Sequence, residues 1–146
     1  MFPARRLLLL LAFVLLFALL PASGASATTL GSAALDDAQA YLGTPYVFGG
    51  YCVPGGGCDC DDLVQAVYGD LGVYLDDNIY ALYSETYAIS DPEPGDLVFY
   101  WLGGGLWHVG IYAGGGMVLN ANSAAGYVTY SPLYSIAGTV DFRRVG

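Results

Sequence analysis

The sequence predicts an α+β domain in which helices pack on one face of an antiparallel sheet. Two helical stripes occupy the first half of the chain, one over residues 32–42 and one from Asp59 onward. Five β-prone runs separated by glycine-rich turns fill residues 97–145. A chain of 146 residues has room for one domain with a modest core.

The first element is not part of that domain. Met1 to Arg6 carries Arg5 and Arg6, an unbroken apolar run follows from Leu7 to Leu20, and Ala25-Ser26-Ala27 supplies small residues of the cleavage kind. This reads as a secretory signal over residues 1–27. The run is shorter than the roughly 20 apolar residues a spanning helix needs. The domain is therefore expected over residues 28–146, secreted, with no stable membrane insertion once the signal is removed. No cysteine follows the apolar run, so a lipid-modified N-terminus is not expected.

"SAALDDAQAYL", Ser32 to Leu42, has Ala, Leu and Tyr at helical spacing and stops at Gly43. "TPYVFGG" is a short β-prone piece, and residues 51–58 are loop by composition. From Asp59 a second helix places Leu63, Val64, Val67, Tyr68 and Leu71 on one stripe, with Gly72 after it. Asp59 is placed to cap that helix, with Cys60 in its first turn. Residues 73–91 are ambiguous, either a short helix or irregular structure around "NIYALYSETY". "DPEPGD" is a turn. "LVFYW", "WHVGIY", "MVLNAN", "YVTYS" and "TVDFRRV" then read as strands. The glycine runs lack a following Lys-Ser or Lys-Thr, so they are turns and not phosphate loops.

Charge narrows the function. Removing Arg5 and Arg6 with the signal leaves two arginines against thirteen acidic residues, a formal charge of −11, with no lysine. Nothing is present to neutralise phosphates, which excludes nucleic acid as a partner. Such a surface is self-repelling, and a monomer is expected.

Three cysteines in an exported chain is an odd count. Cys52 and Cys58 enclose a loop long enough to close a disulfide, whereas Cys58 and Cys60 would form a strained ring. That pairing leaves Cys60 free at a helix tip, where the N–H groups and dipole favour a thiolate. Asp59, Asp61 and Asp62 oppose it, so a cationic partner is required.

The single histidine, His108, lies in "WHVGIY". Strand alternation puts His108, Gly110 and Tyr112 on one face and the apolar set Trp107, Val109 and Ile111 on the other, in the core. Gly110 would leave room for a group approaching His108. A hairpin pairing Tyr112 with Gly116 would set Asn120 directly opposite His108, where its amide could hold one ring nitrogen and aim the other at a thiol. A thiol nucleophile, an imidazole base and an amide that orients it form the arrangement of a cysteine hydrolase.

"GTPYVFGG", "DCDDLVQAVY", "PGDLVFY", "HVGIY" and "LNA", in that order, resemble the NlpC-type cell-wall cysteine peptidases, a papain-like group, over roughly Ala34 to Val145. The resemblance implies a papain-like NlpC-type fold, with Cys60 as nucleophile, His108 as base and Asn120 as the third polar residue. It implies hydrolysis of peptidoglycan stem peptides, commonly between D-glutamate and a diamino acid, without metal or cofactor. It gives Tyr46, Asp59 and Asp61 roles in holding the substrate. The expected partners are thus peptidoglycan or its muropeptide fragments, and the site of action the cell wall. Two features depart from the family pattern. Asp61-Asp62 replaces Ser-Gly after the cysteine, and Leu75-Asp76-Asp77 stands where Leu-Pro-Arg is usual. An acidic pocket would favour a substrate amino group. His108 is expected to form an ion pair with Cys60, offsetting the acids.

Three other readings fit parts of the pattern. Cys52, Cys58, Cys60 and His108 have the donor types of a zinc site, though not its usual spacing. A wall-binding module could keep the fold with turnover impaired by Asp61 and Asp62. The same cysteine chemistry could serve an amidase or acyltransferase.

Overall fold

The computed structural model describes residues 29–146; the expected signal over residues 1–27 lies outside the described residues. Helix α1 spans Leu30–Ala38 and starts earlier than the apolar pattern indicates, because the Thr29 hydroxyl accepts from the Ser32 N–H at 3.2 Å. Its expected last turn tightens into a 3-10 turn over Gln39–Tyr41.

Helix α2, Cys60–Asp70, begins where the cap predicts: the Asp59 carboxylate accepts from the Asp62 N–H at 3.2 Å. Its stripe of Leu63, Val64 and Val67 is fully buried. The ambiguous segment contains a third helix, α3 (Ile79–Glu85), because Asn78 Oδ1 accepts from the N–H groups of Tyr80 and Ala81 at 3.0 and 3.3 Å. After it comes a two-residue edge strand, β1, Tyr87–Ala88.

All five expected strands form: β2 (Leu97–Leu102), β3 (Gly105–Gly114), β4 (Met117–Asn122), β5 (Tyr127–Pro132) and β6 (Thr139–Arg144). With β1 they make one six-stranded antiparallel sheet in the order β1-β6-β2-β3-β4-β5. The main core lies between α2 and the sheet face carrying Leu97, Phe99, Val109, Ile111 and Leu119. Truncating one such buried side chain to Ala costs about 2–5 kcal/mol. A smaller cluster on the other face joins Val98, Tyr100 and Val118 to Leu133 and Ile136, from the segment after β5. His108 lies on this second face, its ring 5.5 Å from that of Tyr100.

Two expectations about β3 are corrected. Trp107 is not core: it is 40% exposed. Tyr100 pairs with His108 but Trp101 pairs with Leu106, so Trp107 is the extra residue of a bulge. The bulge turns Leu106 into the helix-side core and Trp107 outward. The hairpin register also differs, with Tyr112 facing Val118 and Ile111 facing Leu119. Gly115 and Gly116, both at positive φ, form the tip in place of a three-residue loop. Carried along the strands, this register sets Asn120 against Gly110 and not against His108.

Candidate active site

The nucleophile position is built by the loop before α2. Tyr46 and Cys58 form a parallel bridge, the Cys58 N–H donates to the Pro45 carbonyl at 3.0 Å, and the Val47 N–H donates to the Cys58 carbonyl at 2.9 Å. A disulfide joins Cys52 to Cys58, the pairing the loop length indicates, and Cys60 is free. The disulfide removes two of the four ligands of the zinc reading. Among the described residues no group of three potential metal ligands is assembled.

Asp59 is bound from both sides: Oδ1 caps α2, and Oδ2 accepts from the Gly49 N–H at 2.8 Å. Tyr46 lies close enough to this cluster that burial, and then the charges of Cys60, Asp59, Asp61 and Asp62, push its phenol up. The structure thus gathers Tyr46, Asp59, Cys60 and Asp61 at one helix tip.

Cys60 is only 8% exposed, and its thiol donates to Asp61 Oδ1 at 3.6 Å. Burial first, and the Asp61 charge second, push the Cys60 thiol up to about 12, against a lowering contribution from the Val109 backbone. The carboxyls beside it are also displaced. Burial and hydrogen bonding to Asp59 raise Asp61 to about 6 and Asp62 to about 7. One Asp62 oxygen, Oδ2, is buried without a partner.

His108 Nε2 and Asn120 Oδ1 are 3.0 Å apart. The amide's orientation follows from its other end: Asn120 Nδ2 donates to the Val118 carbonyl, the Thr129 carbonyl and Ser131 Oγ at 3.3, 3.3 and 3.0 Å. With acceptors on that side, Oδ1 faces the ring, so Nε2 carries the proton and Nδ1 keeps the lone pair a base requires. Gly110 makes this packing possible, because a Cβ there would sit 3.0 Å from the Asn120 Cβ and 2.5 Å from Val118 Cγ2. The space beside His108 is therefore filled by β4 and not left for an approaching group.

Among the described residues no hydrogen bond joins Cys60 to His108; the sulfur meets β3 at the backbone of the next residue, Val109. The expected ion pair has no hydrogen bond between its partners in this structure. Burial lowers His108 to about 4, a direction that, like the raised thiol, works against charging the pair. The sequence reading missed Ser131, which also accepts from Asn122 Nδ2 at 3.1 Å. Its signal was the alternation of "YVTYS", which puts Ser131 two positions beyond Thr129, the residue that pairs with Asn120. A cavity of about 520 Å³ runs along the outer flank of α2 past Asp62 and is lined by neither Cys60 nor His108.

The profile of the NlpC/P60 family matches residues 43–142. The gamma-DL-glutamyl hydrolase of Bacillus subtilis is 39% identical over 93 residues, covering 60% of this chain and 22% of that protein. The peptidoglycan endopeptidase RipB of Mycobacterium tuberculosis is 32% identical over 150 residues, covering 85% of this chain and 62% of that one. This chain therefore corresponds to only part of each relative. The crystal structure of the P60 domain of the M. avium subspecies paratuberculosis antigen MAP1204 superposes with a TM-score of 0.69 at 28% identity. That likeness covers 80% of this chain and 94% of the other.

Proposed function

Because the chain belongs to the NlpC/P60 family, we propose that it is a secreted cysteine peptidase cleaving peptidoglycan stem peptides as a D-glutamyl–diamino acid endopeptidase. The observation that carries the reading is the 3.0 Å pair of His108 Nε2 and Asn120 Oδ1 in a sheet whose neighbouring helix presents a free thiol at its first residue. The names of the relatives, a glutamyl hydrolase and a peptidoglycan endopeptidase, agree with it.

In this mechanism His108 Nδ1 takes the Cys60 proton and the sulfur bonds to the scissile carbonyl carbon. The Cys60 N–H, first in α2, donates to the oxyanion, a contribution of about 3 kcal/mol for a donor of this type. His108 returns the proton to the leaving amine as the C–N bond breaks. Water, deprotonated by the same ring, then cleaves the thioester. Tyr46, Asp59 and Asp61 hold the part of the substrate that stays on the sulfur, and Asp61 favours an amino group there.

The test is digestion of purified muropeptides followed by mass analysis of the products. Wild type releases fragments ending in D-glutamate, and Cys60→Ala and His108→Ala release none while keeping the folded circular dichroism spectrum. One observation favours a second reading, a wall-binding domain with impaired turnover: the thiol donates to Asp61 and not to the imidazole. Sedimentation of the wild type with insoluble peptidoglycan, without release of fragments, would select that reading.

A further inference from the structure

His108 becomes a cation when it takes the Cys60 proton, and it is buried. A buried imidazolium needs a compensating neighbour. Among the described residues no carboxylate pairs with the ring, and its side-chain hydrogen bond is to Asn120, a neutral amide. The ring does have two aromatic neighbours. That of Trp107 lies 5.4 Å away, inclined at 36°, and that of Tyr100 lies 5.5 Å away, inclined at 48°.

Both rings are fixed from one piece of chain, the connection from β5 to β6. Trp107 Nε1 donates to the Ala137 carbonyl at 2.9 Å, and the Tyr100 hydroxyl donates to the Leu133 carbonyl at 3.0 Å. Gly138, at a φ of 117°, lets that connection close, because a Cβ there would collide with the Trp101 carbonyl and sit 3.4 Å from Trp107 Nε1. With its N–H engaged, the indole presents π surface to the imidazole. The core does not require Trp107 at this place. The bulge that carries it interrupts the β2–β3 register and leaves a large apolar ring exposed.

We propose that Trp107, with Tyr100 beside it, is a positioning residue for the reaction: its π-face stabilises the imidazolium that forms as the Cys60 S–H bond breaks and an N–H bond forms at His108 Nδ1. The inference rests on the peptidase reading above. A cation within about 6 Å of an indole centroid is attracted by the ring's quadrupole, more strongly where water is excluded. The groups that face the imidazole leave this role open to the indole. From β2 comes the Tyr100 phenol, held by a carbonyl; from β4 comes Asn120; from α2, across β3, comes Cys60. The cavity of about 240 Å³ beside the ring is lined by no other titratable side chain.

His108 is the only histidine of the chain, so a single imidazole signal reports the site. The experiment titrates that signal by NMR in the wild type and in protein carrying tetrafluorotryptophan in place of Trp107. This analogue keeps the ring and its N–H and withdraws charge from the π-face. The imidazole midpoint should fall by about 1 unit. An unchanged midpoint overturns the proposal. A raised midpoint does so too, because it would mean that the indole acts only by excluding water. On muropeptides the fluorinated protein should lose kcat about threefold or more with KM unchanged; an unchanged kcat overturns the role in turnover. If the wild type cleaves no muropeptide, the peptidase reading fails, and the titration alone decides whether Trp107 holds the charged ring.

Discussion

His108 and Asn120 meet through a 3.0 Å contact although they are not cross-strand partners; the register sets Asn120 opposite Gly110, and the pair forms along a diagonal. A carboxamide fixed by three acceptors on its far side holds the imidazole in the tautomer with a free Nδ1. Asn120→Ala leaves a buried ring N–H unpaired and frees the ring to turn. We expect kcat to fall about 10–100-fold, with KM little changed, in steady-state assays on muropeptides. Ser131→Ala removes one acceptor of three and should be milder, costing about 1 kcal/mol of stability in urea unfolding.

Gly110 carries the diagonal. Gly110→Ala places a methyl 2.5 Å from Val118 Cγ2 and 3.1 Å from the Leu119 carbonyl, so β4 must shift or tilt. Overpacking of this kind costs about 1–3 kcal/mol. The variant should unfold at lower urea and show an activity loss close to that of Asn120→Ala, since the same pair is displaced.

The elements were legible in the sequence because each announces itself locally. The Asp59 cap and the Leu63, Val64, Val67 stripe define α2, and alternation with glycine turns defines β2 to β6. The free cysteine was legible too, because only one of the three cysteines lies outside a loop that a disulfide could close. Register was not. Three consecutive glycines allow several hairpin tips, and only packing of Val118 and Asn120 over Gly110 chooses between them. Nor was the bulge at Trp107, since period-two alternation carries no mark of an inserted residue. The effect of burial on the thiol was not legible either: helix-tip chemistry favours a thiolate, whereas burial, which local sequence does not reveal, pushes Cys60 up.

Asp61 is the group that most directly disfavours the thiolate, as the thiol's acceptor and as a nearby charge. Asp61→Asn keeps the shape and removes the charge. The midpoint of Cys60 alkylation by iodoacetamide against pH should move down by about 1 unit relative to wild type. An unchanged midpoint would mean that burial alone sets the thiol. In the same experiment without reductant, one alkyl group per chain is expected, on Cys60.

Stability should respond to pH in two opposing ways. His108 titrates near 4 in the fold against 6.5 ordinarily, so between those values the unfolded chain holds the extra proton and stability rises with pH. The full shift corresponds to about 3 kcal/mol. Asp61 and Asp62, raised to about 6 and about 7 from 3.8, act the other way: the folded chain holds more protons, and stability is lost as pH rises through that range. Urea midpoints from pH 4 to 7 should therefore rise more steeply in Asp61→Asn/Asp62→Asn than in wild type.

The disulfide is the last structural support of the helix tip. Cys58 is fully buried, its backbone pairs with Pro45 and Val47, and the next residue, Asp59, caps α2 and accepts from Gly49. Cys52–Cys58 closes the strip of chain between these contacts, so without it the loop gains freedom in the unfolded state and loosens its hold on the cap in the folded one. A loop this short corresponds to about 2 kcal/mol in the chain-entropy account. Cys52→Ala/Cys58→Ala should lower Tm by on the order of 8 °C. The change in activity separates two roles for the loop. If it only staples the fold, both kcat and KM at a temperature well below Tm stay at their wild-type values. Because Cys58 is bridged to Tyr46 and directly precedes Asp59, we expect KM for stem peptides to rise while kcat holds, and steady-state kinetics at 15 °C on both proteins measures the split.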